Sequence, residues 1–182
     1  MTKVATSQKH RRGRACAHVA LLSCALLVTP PLIAQAPADG SLGRVFAAQN
    51  AARKELGLAP LTWNGRLAIA AKQWAGHLAN TGGFDHGVGS GSGQGENLWK
   101  GTRGAYSPEE MADAWIGEKR YFRPGRFPDV STTGDWKTVG HYSQIIWRQT
   151  NEVGCAIESS SDSDILVCRY ANPGNVIGQQ PY

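Results

Sequence analysis

The stretch GHYSQIIWRQT at residues 140–150 and the stretch ILVCRYANPGNV at residues 165–176 decide the fold of this chain. In the first stretch, the apolar residues that follow Gly140 predict a short helix over residues 141–147. The second stretch starts as a β-prone run and ends in Asn-Pro-Gly-Asn, which is typical of a turn. The C-terminal part of the chain therefore combines a helix with at least one strand.

A β-hairpin with a disulfide is predicted directly after that helix in the sequence. Two β-prone runs, residues 153–158 and 165–170, flank the polar segment Ser-Ser-Ser-Asp-Ser-Asp. If the turn lies at the centre of this segment, Cys155 and Cys168 fall opposite one another, which is the approach that a disulfide needs. Such a bond would stabilise the fold by roughly 3 kcal/mol. A redox or metal role for the two thiols is the alternative, but their spacing resembles neither Cys-x-x-Cys nor a zinc ribbon.

The first 36 residues predict a secretory signal peptide that is cleaved after Ala36. A basic region ends at Arg14 and is followed by the apolar run at residues 15–28. This run is shorter than the ~20 residues of a membrane-spanning helix, so a stable membrane anchor is disfavoured. A lipoprotein cleavage site before Cys24 is also disfavoured, because apolar sequence continues beyond it. Cys16 and Cys24 leave with the leader, so the two remaining cysteines pair in an oxidising compartment, which is extracellular, or periplasmic in a bacterium.

Composition and charge describe one globular domain and exclude a nucleic-acid-binding protein. The chain has 182 residues, of which 41% are hydrophobic and 18% are charged, and its formal net charge is +5. Five of the 19 Lys and Arg residues lie in the leader, where no Asp or Glu occurs, so the mature chain has 14 basic and 14 acidic residues. The excess positive charge belongs to the leader, and no basic surface for DNA or RNA is predicted. We expect a monomer.

Hydrophobic spacing predicts the helices of the mature chain, which has a linker at residues 37–41 and one domain at residues 42–182. The third helix has the clearest start, since Ser107 can cap it, Pro108 suits its first turn and Glu110 can return a bond to the cap. The other predicted elements are a helix over residues 42–56, a helix between the cap Asn64 and the stop Gly82, and a glycine-rich loop at residues 84–95. One face of the third helix is predicted to carry Met111, Ala114, Trp115 and Glu118.

Only three histidines remain in the mature chain, and two of them are candidate ligands. His77 lies inside the second helix beside its apolar stripe, which is typical of a partly buried structural residue. His86 lies in the glycine-rich loop and His141 begins a helix, where an imidazole is accessible. Glu96 and Glu118 are the carboxylates whose neighbours least resemble a solvated charged face. Two imidazoles and two carboxylates that converge would form a divalent-metal site or an acid–base cluster, although spacing alone does not bring them together.

Several stretches of the chain resemble the motifs of the CAP superfamily, which comprises cysteine-rich secretory proteins, antigen 5 and plant pathogenesis-related protein 1. The similarity runs from about Leu42 to the C terminus. Its first motif usually starts with His-Asn, whereas this chain has Gln49-Asn50. The matching stretches are QNAARKELGLAPLTWN at residues 49–64, GENL at residues 95–98, AWIGEKRYF at residues 114–122, GHYSQIIWRQT and ILVCRYANPGNV.

This resemblance implies an α+β fold of the α-β-α sandwich type, with helices on both faces of a small antiparallel sheet and a large central cleft. By motif position the cleft tetrad is His86, Glu96, Glu118 and His141. The resemblance implies that the two histidines hold zinc or a similar divalent cation, and that the two glutamates act through water and outer hydrogen bonds.

Three functions remain open at this level. The resemblance implies a secreted protein that binds a sterol or another lipid in addition to the cation, and that acts in defence or in interaction with a host or the environment. A metal-dependent hydrolase or peptidase using the same tetrad is disfavoured, because the chain has no His-Glu-x-x-His pair. The third hypothesis is a surface interaction module. We expect binding rather than catalysis, and no catalytic residue is assigned.

Overall fold

Four helices and four strands make up the fold of the computed structural model, which describes Pro37 and residues 40–87 and 93–182. The described residues belong to one compact unit, Pro31–Tyr182. The predicted signal peptide, with Cys16 and Cys24, lies outside the described residues. The elements are α1 (Gly40–Glu55), β1 (Thr62–Trp63), α2 (Gly65–Thr81), β2 (Gln94–Thr102), α3 (Pro108–Ile116), α4 (Gly140–Ile145), β3 (Glu152–Ser159) and β4 (Ser163–Ala171), with 3-10 helices at Gly117–Tyr121 and Trp136–Val139.

The sheet has the strand order β1-β3-β4-β2, and it is mixed rather than purely antiparallel. β3 and β4 form the predicted hairpin, β2 pairs with β4 in the antiparallel sense, and the short β1 runs parallel to β3. The parallel pair arises because the chain after α1 follows β3 for two residues, where Thr62 N donates to Asn151 O and Asn64 N donates to Val153 O. The prediction of an antiparallel sheet therefore holds for three of its four strands.

The hairpin register confirms the predicted disulfide. Cys155 and Cys168 are directly opposite on β3 and β4, and their sulfur atoms are bonded. Both side chains are fully buried. The polar segment between the strands forms the turn, in which Ser163 N and Asp162 N donate to Ser160 Oγ.

Alternate residues of the sheet face two different helical layers, which makes the fold an α-β-α sandwich. Successive side chains of a strand point to opposite faces. On one face Ala156, Ile165 and Val167 pack against Ala71, Ala75 and Leu78 of α2. On the other face the residues that pack with the remaining helices are Cys155, Leu166, Cys168 and Tyr170 from the sheet, Val45 and Ala52 from α1, Met111, Ala112 and Trp115 from α3, and Tyr142 and Ile145 from α4.

The predicted start and end of α2 and the predicted start of α3 are confirmed. Asn64 Oδ1 accepts from the backbone N–H groups of Arg66 and Leu67 at the start of α2, and Gly82 ends that helix in a left-handed conformation with φ 72°. At α3, Ser107 and Glu110 form the full capping box, with Pro108 in the first turn. Within the described ranges, every helix is too short or too polar to cross a lipid bilayer.

The third and fourth helices end earlier than predicted. α3 stops at Ile116, so Glu118 lies in the following 3-10 helix and does not share the face of Trp115. Ala114 is exposed, and Ala112 occupies the core instead. α4 ends at Ile145 rather than at residue 147.

The early end of α4 has a physical cause in α1. Arg53 is buried, and its Nη1 donates to the backbone oxygens of both Ile145 and Trp147 at 2.8 Å. These bonds satisfy carbonyl groups that a longer helix would have used internally.

Two further boundaries differ from the prediction. α1 starts at Gly40, inside the predicted linker. Residues 94–102 form β2, although no strand was predicted for them from the sequence. The hydrophobic pattern does not predict this strand, because its buried positions include the polar Glu96 and Asn97, whose partners lie on other elements.

Candidate functional site

A cleft of about 590 Å³ opens where the start of α4 meets the preceding loop and the C-terminal segment. The apolar part of its wall comes from Phe127, which is buried, and from Trp136 and Ile177, which are exposed at its rim. The complete lining is His86, Glu96, Asn97, Phe127, Trp136, Lys137, Gly140, His141, Asn175 and Ile177.

Glu118 does not line the cleft itself, but it positions His141. The Nδ1 atom of His141 lies 2.6 Å from Glu118 Oε1, and the backbone N–H groups of His141 and Tyr142 both donate to Glu118 Oε2 at 3.0 Å. The 3-10 helix after α3 places Glu118 at the first turn of α4. The His141 ring also stacks on Trp115, with ring centroids 5.8 Å apart. Ring and backbone of His141 are therefore fixed by one carboxylate and one indole.

Glu96 holds His86 in a similar way from β2. The Nδ1 atom of His86 lies 3.0 Å from Glu96 Oε1, and Gly87 N donates to the same oxygen at 2.9 Å. The Glu96 side chain is 1% exposed, and its Oε2 lies 3.0 Å from Arg169 Nη2. Glu96 and Arg169 are paired in the register of β2 and β4, which brings their side chains together. The contact neutralises a buried charge, although Oε2 makes no hydrogen bond to the described residues.

Both imidazoles present the same nitrogen to a carboxylate. A carboxylate only accepts hydrogen bonds, so Nδ1 carries the proton in the neutral ring and Nε2 keeps its lone pair. The side chains of His86 and His141 are 60% and 34% exposed, so each ring is in contact with the cleft as well as with its carboxylate. A carboxylate behind the second nitrogen is the usual support of a metal-binding histidine.

The four residues predicted as the tetrad thus form two carboxylate–imidazole pairs. Three of them line the cleft, whereas Glu118 does not line it and contacts His141 and the backbone N–H of Tyr142. His77 lies on α2, where it stacks on Trp74, and it is exposed rather than partly buried. In the described part of the chain, no group of three or more His, Cys, Asp or Glu side chains is arranged to hold a metal ion.

Sequence reasoning missed several residues that shape the cleft. Arg169, which neutralises Glu96, was visible only as a cation inside a β-prone run. Asn175 has a positive φ of 56°, which is strained for most residues but tolerated by asparagine. Its Nδ2 donates to Gly140 O at 2.9 Å, and its Oδ1 accepts from Ser143 Oγ at 2.6 Å. These bonds fasten the C-terminal segment to α4 and place Ile177 at the rim.

A buried chain of hydrogen bonds connects the disulfide with the start of α4. Gln49 Nε2 donates to Sγ of both cysteines, at 3.7 Å for Cys155 and 3.5 Å for Cys168. Gln49 Oε1 accepts from the Tyr170 hydroxyl, whose oxygen in turn accepts from Asn97 Nδ2. The same Asn97 nitrogen donates to the backbone oxygen of His141 at 3.1 Å.

Comparisons with known proteins agree with this architecture. The model of the cysteine-rich secretory protein (CAP) family matches residues 46–170. Pathogenesis-related protein 1C of Nicotiana tabacum is 35% identical over 136 residues, which are 74% of this chain and 77% of that protein. Pathogenesis-related protein PR-1 of Medicago truncatula is 34% identical, covering 74% of this chain and 75% of that protein.

Solved structures share the fold at lower sequence identity. The crystal structure of NaASP2 with Zn²⁺ has a TM-score of 0.64 and 19% identity, covering 85% of this chain and 88% of that one. Venom allergen-like protein 4 of Schistosoma mansoni has a TM-score of 0.57 and 24% identity, covering 76% of this chain and 90% of that one. These likenesses concern the fold alone.

Proposed function

Because this chain belongs to the cysteine-rich secretory protein (CAP) family, we propose that it is a secreted protein whose His/Glu cleft binds a divalent metal ion and an apolar ligand such as a sterol or another lipid. The observation that carries the metal proposal is the pair of imidazoles in one cleft, each with its Nδ1 on a carboxylate. This leaves two Nε2 lone pairs as donors, which suit zinc or a similar cation. When bound, the ion supplies a positive charge and an electrophilic centre to the cleft.

The proposed apolar ligand is supported by the apolar residues that line the cleft. Phe127 packs edge to face on Trp136, with ring centroids 5.0 Å apart, and Ile177 is 81% exposed beside the same cleft. When an apolar molecule covers the exposed side chains of Ile177 and Trp136, both lose unfavourable contact with water. A volume of about 590 Å³ lies in the range of small-molecule sites.

The state of the two carboxylates supports binding over hydrolysis. Glu118 accepts from three nitrogen atoms, and Glu96 contacts His86, Gly87 and Arg169. A general base must be free to take a proton from water within hydrogen-bond reach. Since both carboxylates are committed to positioning the histidines, we assign them a structural role in the site. A role in defence follows for this chain only by similarity to the pathogenesis-related proteins.

The metal proposal is tested by native mass spectrometry and calorimetric titration with Zn²⁺ on the mature, disulfide-bonded protein. We expect one Zn²⁺ per chain in the wild type and none in the double variant His86→Ala/His141→Ala. His77→Ala is the matched control, because it removes an exposed imidazole outside the cleft. Retention of the ion by the double variant, or its loss from His77→Ala, contradicts the proposal.

The ligand proposal needs a separate measurement on the same proteins. Cholesterol, used as the probe, is expected to form an adduct with the wild type that weakens in Trp136→Ala and Ile177→Ser. Ile69→Ser is the control, since Ile69 is an exposed isoleucine of α2 that does not line the cleft. An equal loss of cholesterol in Ile69→Ser would place the apolar site elsewhere on the surface.

A further inference from the structure

Two charged side chains line the cleft beside the two histidines. Among the side chains that line it, Glu96 is the carboxylate and Lys137 is the ammonium group. The carboxylate charge is already compensated, because Oε2 lies 3.0 Å from Arg169 Nη2 and Oε1 contacts His86 and Gly87. Glu118, the other acidic group of the site, lies behind His141 and does not line the cleft. Within the described ranges, both carboxylates of the site are therefore engaged by other groups and form no ion pair with a lysine side chain that lines the cleft.

Lys137 is the lysine that lines the cleft. It is exposed, and it forms no ion pair with any residue in the described ranges 40–87 and 93–182. Some other exposed cations of the fold have carboxylate partners, for example Lys119 with Glu55. The unpaired ammonium group of Lys137 therefore leaves a positive charge in the cleft.

The local structure holds the Lys137 backbone next to the apolar wall. Asp135 Oδ1 accepts a hydrogen bond from Lys137 N at 3.0 Å and caps the 3-10 helix Trp136–Val139. The neighbouring Trp136 ring packs on Phe127. Lys137, Trp136 and Phe127 line the same cleft, so one ligand can contact both a cationic and an apolar residue.

We propose that the ligand of this cleft has an apolar body and one anionic headgroup, and that Lys137 pairs with the headgroup while Trp136, Phe127 and Ile177 contact the body. This inference rests on the proposed function, because it specifies the chemistry of the same apolar ligand. A divalent cation on the two histidines would add positive charge to the cleft, so it would favour an anionic headgroup further. A carboxylate and a phosphate monoester share the required chemistry.

The test compares probes that share a ten-carbon chain and differ in their headgroup. Decanoate, decyl phosphate and decanol are titrated below their aggregation concentrations into metal-free, disulfide-bonded protein, and binding is followed by calorimetry and by amide chemical shifts. We expect each anion to bind about tenfold more tightly than decanol, since hydrogen bonds to charged groups are the strong ones.

Three variants identify the source of that preference. Lys137→Gln is expected to lower the affinity for both anions to that for decanol, without changing decanol binding. Lys137→Arg is expected to retain the preference, because it keeps the charge. Lys54→Gln is the matched control, since Lys54 is an exposed lysine of α1 that does not line the cleft.

The outcomes separate this inference from the function it rests on. If decanol binds as tightly as both anions, or if Lys137→Gln keeps the preference, the headgroup proposal is wrong while apolar binding stands. If none of the three probes binds in the cleft, the apolar part of the proposed function fails, and this inference fails with it. Zn²⁺ binding is measured independently and does not depend on either result.

Discussion

The Tyr170 hydroxyl donates a hydrogen bond to Gln49 Oε1 across 2.9 Å, between two side chains that are fully buried. The residues lie 121 positions apart in the sequence. Gln49 occupies the position at which the family motif that this chain resembles usually has a histidine. Here its amide donates to the disulfide sulfurs and accepts from Tyr170, so each polar atom of the glutamine side chain has a partner. The core between the disulfide and His141 is therefore polar but satisfied.

Tyr170→Phe is expected to destabilise the protein by about 1–3 kcal/mol, because it leaves Gln49 Oε1 and one Asn97 N–H without a partner in the core. The measurement is the free energy of unfolding in urea at neutral pH. Tyr106→Phe serves as the control, since Tyr106 is half exposed and removal of its hydroxyl should change stability by less than about 0.5 kcal/mol. Equal effects of the two substitutions would contradict the buried-network interpretation.

Stability is expected to fall at alkaline pH. Burial raises the pKa of Tyr142 to about 12, with Tyr182 and Glu55 adding to the effect, and burial also raises the pKa of Tyr170. A pKa that is higher in the folded than in the unfolded chain means that the unfolded chain loses its proton first. The contribution is thus complete below the ordinary tyrosine pKa of about 10 and is lost as pH rises towards the folded value.

The pH effect is measured as the urea-unfolding free energy of the wild type and of Tyr142→Phe between pH 9 and about 12, the pKa of Tyr142 in the folded chain. We expect the wild type to lose stability more steeply than the variant above pH about 10, because the variant lacks one of the ionising groups. Parallel curves for the two proteins would show that Tyr142 titrates alike in the folded and unfolded chains.

Arg53→Met is expected to be among the most damaging single substitutions, at about 3 kcal/mol or more. The Arg53 guanidinium donates to the backbone oxygens of Ala59, Ile145, Trp147 and Thr150 at 2.8 to 3.0 Å. Burial lowers the pKa of Arg53, but an arginine stays charged at any physiological pH. Methionine fills much of the volume and leaves all four carbonyl groups without this donor.

The Arg53 prediction is checked by chemical denaturation, with Arg66→Met as the control on the exposed face of α2. Arg53→Lys is also expected to be destabilising, because an ammonium group cannot reproduce the planar fork of donors. Near-wild-type stability of Arg53→Met would mean that the surrounding loops rearrange to satisfy these carbonyl groups.

Glu118→Gln is expected to weaken Zn²⁺ binding by about tenfold to 100-fold, because it removes the negative charge behind the His141 ring while keeping the side-chain shape. Affinity is measured by competition with a chelator, and folding is checked by circular dichroism. Glu109→Gln, an exposed glutamate of α3 that pairs with Arg44, is the control and should leave affinity unchanged. Unaltered affinity in Glu118→Gln would remove this carboxylate from the proposed site.

The sequence predicted those parts of the fold that depend on neighbouring residues. The caps at Asn64 and Ser107 are confirmed because a capping side chain bonds to N–H groups two or three residues away. The disulfide is confirmed because a short polar turn fixes the register of its two strands. The four tetrad residues were candidates from their local sequence context, but only the resemblance to a family implied that they meet in one cleft.

The failed predictions for β2 and Glu118 involve partners that are distant in the sequence. β2 was not predicted because Glu96 and Asn97 are polar, and their burial depends on Arg169 and Tyr170 in β4. Glu118 was assigned to the face of α3, yet the chain turns into a 3-10 helix after Ile116 and delivers the carboxylate to His141. Hydrophobic periodicity does not register either event, since it reports which face is apolar and not which polar groups meet.

By itself, the sequence determined the α+β class, the helix caps, the hairpin with its disulfide and the identity of the candidate ligands, because these follow from local chemistry and from recognisable motifs. Only the tertiary structure decided that each histidine contacts a carboxylate and that both histidines line one cleft. It also decided that Arg169 neutralises Glu96. Finally, it placed Lys137 among apolar residues of the cleft, without an ion-pair partner in the described part of the chain. The physical reason is that electrostatic and hydrogen-bond partners are selected by distance in space, and the fold brings together residues from β2, β4, α4 and the C-terminal segment.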